Sequence, residues 1–448
     1  IALLLLEMIW ITSGARRKRR TGKGFRIFIS KFVSVALSAL LIVGSVYASQ
    51  GNSFLSNITS AFTQTRVIAV YAMKQGKINK VEDLKGKTIG VENKTSVSSI
   101  TDALAQVQEK IGKEPEKKNY SDYADLADAL YKGEVDCIVA DQSYLGVLET
   151  NHESFEDETK VVYKMEVQEK LEAVTTKTDV TENPFIVYIT GIDTYGSVNT
   201  ISRADVNLVV CVNPLEKQVL MVSVPRDTQV NLHKNGKMDK ITHSAMYGIN
   251  ETIQTLEDFL DLKVNYYAKT NFSGITNIID ALGVVEDSPY EFTTLHGNYK
   301  IKKGVNELNG DQALCFVRER YALPSGDFDR GKNQQRLLKA MLKKAMSPKI
   351  ITNYSNILAA VEGSFETDMS SDDIKSLVNM QLDDMANWEM FNVQVTGDGA
   401  ISYDTYSQKG KKTYITIPYK KSIQNIRKVI DKIEAGKKLT EADVKGLS

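Results

Sequence analysis

Apolar residues fall into distinct regimes along this chain. From Ile1 to Ala48 they run almost continuously, broken by one basic block. From Arg66 to about Thr176, short β-prone runs alternate with helical periods. Strands are predicted at Val67–Tyr71, Thr88–Val91 and Cys137–Ala140, and helices at Ser98–Ile111, Ala124–Tyr131 and from Gln142 to about Glu149. The alternation resumes at Phe185–Thr190, a continuous β-prone run of the kind expected for a strand buried on both faces. Val206–Val212 and Gln218–Val224 follow, joined by a turn at Asn213-Pro214, and the chain closes with a strand at Thr413–Pro418 and a helix at Ile423–Glu434. Such alternation predicts α/β packing. Between the regimes, Gln50–Gln64 is polar and reads as a tether or the start of an amphipathic helix. Thr175–Pro184 has no apolar periodicity beyond Val180 and reads as a linker.

The first regime has the pattern of a membrane anchor. Residues 1–12 read as the end of a transmembrane helix that begins upstream. Residues 13–26 carry Arg16-Arg17-Lys18-Arg19-Arg20 and read as a cytoplasmic loop, since basic loops stay inside. Residues 27–48 are long enough to span, which takes about 20 apolar residues. A cleaved signal peptide ending at Val46-Tyr47-Ala48 is the rival, but its apolar core usually runs only about 7 to 15 residues. The expected localisation is therefore the cell membrane, with everything after Ser49 outside the cell.

Length and composition narrow the remainder. The 448 residues supply about three domains' worth of chain. Net charge is zero, so no global basic field points to nucleic acid. Cys137, Cys211 and Cys315 each sit in an apolar run without redox or zinc spacing, which predicts core positions. The four histidines are scattered, so a histidine metal site is not expected.

Candidate chemistry gathers in charged motifs of the second half: Arg203-Ala204-Asp205, Pro225-Arg226-Asp227, Arg318-Glu319-Arg320 and Asp327-Phe328-Asp329-Arg330. Arginine forks suit phosphate oxygens in pairs, and interleaved aspartates suit a hard divalent cation. Asp193 and Arg226 lie just past strand ends, while Arg203 and Asp205 lie just before a strand. If that strand runs antiparallel to its neighbours, all of these share one sheet edge. Arg318 and Arg320 would project to one side of an extended backbone. A helix start is predicted at Leu308–Leu314, capped by Asn309 or Asp311, and another helix near Arg330, with Gln334 on the same face. Taken singly, Arg318–Glu319, Arg330–Asp329 and Arg226–Asp227 read more readily as surface ion pairs; taken together, with acids and arginines at strand and helix ends, they read equally well as a site.

These residues, with Gly191-Ile192-Asp193, Lys240-Ile241-Thr242-His243, Asp280–Val284 and Leu308-Asn309-Gly310, closely resemble the LytR–CpsA–Psr family from about Phe185 through Lys343. The anchor and extra module resemble its capsule-type branch. The resemblance implies an α/β/α sandwich with a central mixed sheet over residues 185–448, preceded by transmembrane helices and a small accessory α/β domain at 66–176. It implies a membrane-anchored extracytoplasmic phosphotransferase. Such an enzyme moves a capsular or teichoic-acid-like glycopolymer from a polyprenyl-pyrophosphate carrier to peptidoglycan, with carrier hydrolysis as a side activity. Carried over by position, Arg203, Arg226, Arg318, Arg320 and Arg330 grip the pyrophosphate, with Lys240 and Gln334 as further contacts. Asp193 and Asp205 hold Mg2+ or Mn2+, and Asp205 and Arg226 are catalytic. Asp327 either orients Arg330 or acts as a base. This chain has Asn333 where many members carry a second arginine, and Thr194-Tyr195 where others often have Ser-Arg.

The first module has a resemblance of its own. Val81–Val91 and Gly133–Asp141 resemble one lobe of extracytoplasmic solute-binding proteins, with Glu92–Ser96 and Asp141 in cleft-facing places. The unit is too short for two lobes, which favours a structural module or one that binds envelope-assembly proteins. Of the helical stripes, Met246, Ile249, Ile253, Leu256, Phe259 and Leu260 and then Phe272, Ile275, Ile278 and Ile279 read as core. The family resemblance implies that part of them lines a tunnel for the lipid. The alternatives to a transferase are a non-catalytic polyprenyl-phosphate or glycan-binding regulator of envelope assembly, and a solute sensor centred on the first module.

Overall fold

The computed structural model describes residues 63–347 and 361–447. The expected membrane segments and the basic loop between them lie outside the described residues. Among the described residues, no helix is long and apolar enough to cross a membrane.

A five-stranded sheet comes first. Its strands are β1 (Thr63–Met73), β2 (Thr88–Glu92), β3 (Glu116–Tyr120), β4 (Cys137–Asp141) and β5 (Thr159–Lys170), in the order β3-β2-β4-β1-β5. Helices α1 (Val97–Ile111) and α2 (Tyr123–Tyr131) enter different hydrophobic clusters: Ile100 and Val107 pack in one, Leu126 and Leu130 in the other. The sequence pattern finds the central strands and misses β3 and β5. Both are edge strands: β3 is polar and exposed, whereas β5 does carry the alternation, with Tyr163, Met165 and Val167 packed inward between Lys164, Glu166 and Gln168. Charged edges of this kind resist pairing with another chain. Strand β1 reaches back to Thr63, so Gln64 belongs to the sheet and not to a tether.

The second sheet has six strands: β6 (Phe185–Ile192), β7 (Ala204–Asn213), β8 (Gln218–Ser223), β9 (Tyr266–Thr270), β10 (Phe365–Thr367) and β11 (Glu389–Gln394), in the order β10-β9-β6-β7-β8-β11. It is mixed: β6–β9 and β8–β11 are parallel and the other pairs antiparallel. Successive residues of β7 face opposite ways. Val209 and Cys211 enter one core cluster, with α3 (Ile249–Leu260), while Leu208 and Val210 enter another. On that second side lie α4 (Phe272–Leu282), α5 (Gly310–Arg318) and α6 (Asp327–Ala345). Helix α7 (Lys420–Glu434) joins α3 through Ile426, Ile430 and Ile433.

The two apolar stripes therefore part company. Ile249, Ile253, Leu256 and Leu260 are ordinary core, and Met246 fills the core of the five-stranded unit. The expected linker is pinned as well, because Val180 is buried against Phe185 and Tyr266. Cys137 and Cys211 are buried and Cys315 is half-buried on α5. Burial pushes the Cys137 thiol up to about 12, as befits a core residue and not a nucleophile.

One ion pair ties the far edge of this sheet together. Lys269 of β9 and Glu366 of β10 pair at 2.8 Å with both side chains buried. Lys269→Met leaves the Glu366 carboxylate buried without its cation, and should cost about 3–5 kcal/mol in urea unfolding. Lys269→Met with Glu366→Leu should recover most of that loss.

Candidate functional site

The site begins with strand direction. Since β7 runs antiparallel to both β6 and β8, the end of β6, the start of β7 and the end of β8 meet at one sheet edge. A register shift between Gly191 and Ile192 turns the chain there, and the Asp193 N–H donates to the Arg203 carbonyl at 3.0 Å. Arg203 Nη2 donates to Asp193 Oδ2 at 2.6 Å, and Arg226 Nη1 donates to Asp205 Oδ1 at 2.8 Å. The expected Arg226–Asp227 pair is looser, at 3.8 Å. Asp227 is held instead by Lys240 Nζ at 2.9 Å. Lys240 thus neutralises a buried carboxylate beside the site.

These charges act on one another strongly. Burial pushes the Asp193 carboxyl up, and the nearby Asp205 charge pushes the same way against Arg203 and Arg226. Burial also opposes ionisation of Asp205, but Arg226, Arg330 and Arg203 outweigh it and hold that carboxyl below its usual range. The two acids are therefore driven apart, as expected of neighbouring carboxylates in a shared field. Asp227 is likewise held low, because Lys240 and Arg226 overcome its burial.

The helices complete the edge. Asn309, not Asp311, caps α5, with Gln312 returning a bond to the Asn309 N–H. Arg318 is the last residue of that helix and does not lie on extended backbone, so the expected Arg318/Arg320 alternation does not occur. Its guanidinium stacks 4.2 Å over the Phe272 ring. Glu319 pairs with neither flanking arginine. Its carboxylate accepts from the N–H groups of Leu295, Arg320, Tyr321 and Ala322, and fixes the turn that presents Arg320. Helix α6 starts at Asp327, earlier than predicted. Asp329 accepts from the Ser325 N–H at 2.9 Å and ties the preceding turn to the first turn of the helix, while Arg330 pairs with Asp327. Both Asp327 oxygens lack a properly angled hydrogen bond although the ion-pair contact is close. Burial pushes the Asp327 carboxyl up, with Arg330 opposing.

Behind this charged edge lies a cavity of about 380 Å³ between the second side of the sheet and α4, α5 and α6. Ile275, Ile278, Val317, Leu338, Met341 and Phe365 line its depth, and Asp205, Arg318, Arg330 and Gln334 its rim. The α4 stripe supplies its wall, except Ile279, which turns into a separate core cluster. The cavity is apolar within and charged at its mouth. That combination suits a lipid with a phosphorylated head.

Asp193 and Asp205 sit close enough to shift one another's proton affinity, and a divalent cation between them would relieve that repulsion. Among the described residues, no group of three or more acidic, histidine or cysteine side chains could hold a metal. Magnesium usually takes one or two carboxylates and fills its shell with water and phosphate oxygens, so the pair fits that habit.

The structure brings Asp193, Arg203, Asp205, Arg226, Arg318, Arg330 and Gln334 to one mouth, with Lys240 behind them. Sequence reasoning missed Phe272 as the platform for Arg318 and Glu319 as an anchor. An acid flanked by two arginines was the available sign for Glu319. No sign existed for Phe272, because its spacing matched core residues equally well.

A family model described as LytR_cpsA_psr matches residues 148–427, more than half of the chain. A second, described as NMT1/THI5 like, matches residues 47–183. The polyisoprenyl-teichoic acid–peptidoglycan teichoic acid transferase TagU of Enterococcus faecalis is 35% identical over 199 residues, spanning 44% of this chain and 65% of its own length, just under two thirds. The TagU of Bacillus cereus strain AH820 is 34% identical over 218 residues, 48% of this chain and 70% of its own. The crystal structure of protein gbs0355 from Streptococcus agalactiae superposes with a TM-score of 0.50 at 25% identity, covering 60% of this chain and 93% of that one.

The arginine–aspartate pairing predicts a pH-dependent cost. Asp205, ionised more readily when folded, stabilises the fold above its unfolded pKa of about 3.9 and stops doing so as pH falls through its folded value. Arg226→Met removes that contribution. Urea unfolding should show a loss of about 3–5 kcal/mol near pH 7 that shrinks steadily below about pH 4.

Proposed function

The chain belongs to the LytR–CpsA–Psr family, and we propose that it transfers a glycopolymer from a polyprenyl-pyrophosphate carrier to peptidoglycan at the outer face of the membrane. The names of its curated relatives make a teichoic-acid-type polymer the first candidate, with a capsular polysaccharide next. The observation that carries this reading is the cavity: apolar in its depth and ringed by Asp205, Arg318, Arg330 and Gln334. A polyprenyl pyrophosphate has the same division between tail and head.

In the proposed reaction the tail enters between α4, α5 and α6, and the pyrophosphate rests at the mouth. Arg318 and Arg320, which have no acidic partner among the described residues, meet its charge first. Arg203, Arg226 and Arg330 can exchange a carboxylate partner for phosphate oxygens. The acceptor hydroxyl oxygen attacks the sugar-linked phosphorus, a new phosphodiester forms, and the bond to the lipid phosphate breaks. Polyprenyl monophosphate leaves. Asp327 takes the hydroxyl proton, since burial raises its carboxyl and its oxygens make no hydrogen bond. Asp193 and Asp205 would hold Mg2+, which when bound supplies additional positive charge against the phosphates. The protein itself contributes position and charge, as phosphoryl transfer generally requires.

The purified full chain, incubated with magnesium, an undecaprenyl-pyrophosphate-linked glycan and peptidoglycan, should yield polymer joined to peptidoglycan. Arg226→Ala should lower that transfer about 100- to 1,000-fold. Tight lipid binding without any joined product would instead indicate a binding regulator and sink the transferase reading. Ile275→Trp, which fills the cavity, should raise KM for the lipid-linked donor about tenfold or more, with a smaller change in kcat.

A further inference from the structure

The five-stranded unit ends where a solute cleft would open, and there it meets the six-stranded unit. Arg66 of β1 is buried in that place. It pairs with Asp141 at 2.5 Å and with Glu169 at 2.5 Å, and reaches the Met246 carbonyl of the other unit at 3.4 Å. Ser96, in the loop that would face a solute, donates to the same Asp141 at 2.6 Å. Met246 plugs the core below, and Tyr144 meets Tyr247 edge-on at 6.4 Å between ring centres. The edge expected to face a ligand is thus sealed against the catalytic unit.

The chain leaving Asp141 runs onward across the phosphate site. Asp141 accepts from the Ser143 N–H at 2.9 Å, and the turn leads into the short helix Leu145–Leu148. Gly146 in that helix lies against Arg203. A Cβ added there would overlap the guanidinium, with Nη1, Cζ and Nε all within contact range. The backbone of Gly146 is helical and outside the positive-φ region, so backbone conformation does not demand glycine. The close approach of Arg203 does. Just beyond, Glu149 and Glu156 lie near enough to feel both Arg203 and Asp193.

We propose that the five-stranded unit forms a wall of the catalytic site, and that Gly146 is a positioning residue that sets Arg203 against the pyrophosphate. The inference rests on the transferase reading for its substrate. Arg203 is held from two sides: Asp193 binds Nη2, and Gly146 of the Leu145–Leu148 helix lies against the Nη1 end. The accessory unit therefore acts on transfer by fixing a phosphate-binding side chain, not by taking a solute of its own.

Gly146→Ala tests this cleanly. The atoms in its way belong to the end of one flexible side chain, and alanine favours helical backbone over glycine. The variant should keep or raise its melting temperature while Arg203 is displaced. In the transfer assay with the full chain, kcat/KM should fall about 10- to 100-fold, the scale of a misplaced binding group. The same loss should be absent in an Arg203→Ala background, because the residue through which Gly146 acts is already gone. Parent-like kcat/KM for Gly146→Ala, or losses that simply multiply in the double variant, would overturn the inference and leave the transferase reading standing. If the parent shows no transfer, the transferase reading fails, and farnesyl pyrophosphate binding by calorimetry decides the inference alone. Weaker binding by Gly146→Ala than by the parent supports it. Equal affinity, or no binding by the parent, overturns it.

Discussion

The structure of the site depends on Arg226, a guanidinium largely withdrawn from water and set between Asp205 and Asp227. Charges this deeply placed persist only when paired. The need for pairing organises what surrounds them: Lys240 comes in from the segment after β8 to share Asp227, and Arg330 and Arg203 add to the field on Asp205. Each member arrives from a different element, so the sheet edge, the turn after β6 and the start of α6 must all be in register before any of the charges is satisfied. The fold and the charged sheet edge are in this sense one electrostatic arrangement.

Much of that edge was legible in the sequence because strand direction decides it. Asp193, Asp205 and Arg226 follow from alternating antiparallel strands, and neither their partners nor their rotamers need be known. Legibility failed where a pattern had two equally good readings. The stripes on α3 and α4 have the same spacing, yet Ile253 and Leu256 fill a core while Ile275 and Ile278 line a cavity. Periodicity reports which face is buried and not what it is buried against. Arg318 was misplaced on extended backbone because a short apolar run suits a helix end as well as a strand. Gln334 and Gln335 show the same limit at single-residue scale. The first faces the cavity, whereas the second donates to the carbonyls of Met221 and Val393 and fastens α6 to the sheet.

The five-stranded unit illustrates how a module's pattern can survive a change of use. Its strand and helix order, and its cleft-edge residues Glu92–Ser96 and Asp141, are all recognisable. Their hydrogen bonds, however, are spent internally: Glu92 accepts from the N–H groups of Lys94 and Thr95, and Asp141 from Ser96 and Ser143. A cleft whose polar groups already satisfy one another offers little to a small polar solute. Contact with the neighbouring unit is what remains for that edge to do.

The self-pairing of the charged mouth bears on how an anion would reach it. Opposite charges placed a few ångströms apart cancel beyond a short distance, so of the arginines here Arg318 and Arg320, which lack an acidic partner among the described residues, supply the field that reaches solvent. Long-range attraction of anions, which raises encounter rates at low ionic strength, therefore rests on these two side chains and not on the paired ones. Capture then depends on direct collision and on the exchange of one ion pair for another within the mouth. A mouth of this kind commits most of its charge to holding itself together and leaves only a small excess for an arriving anion.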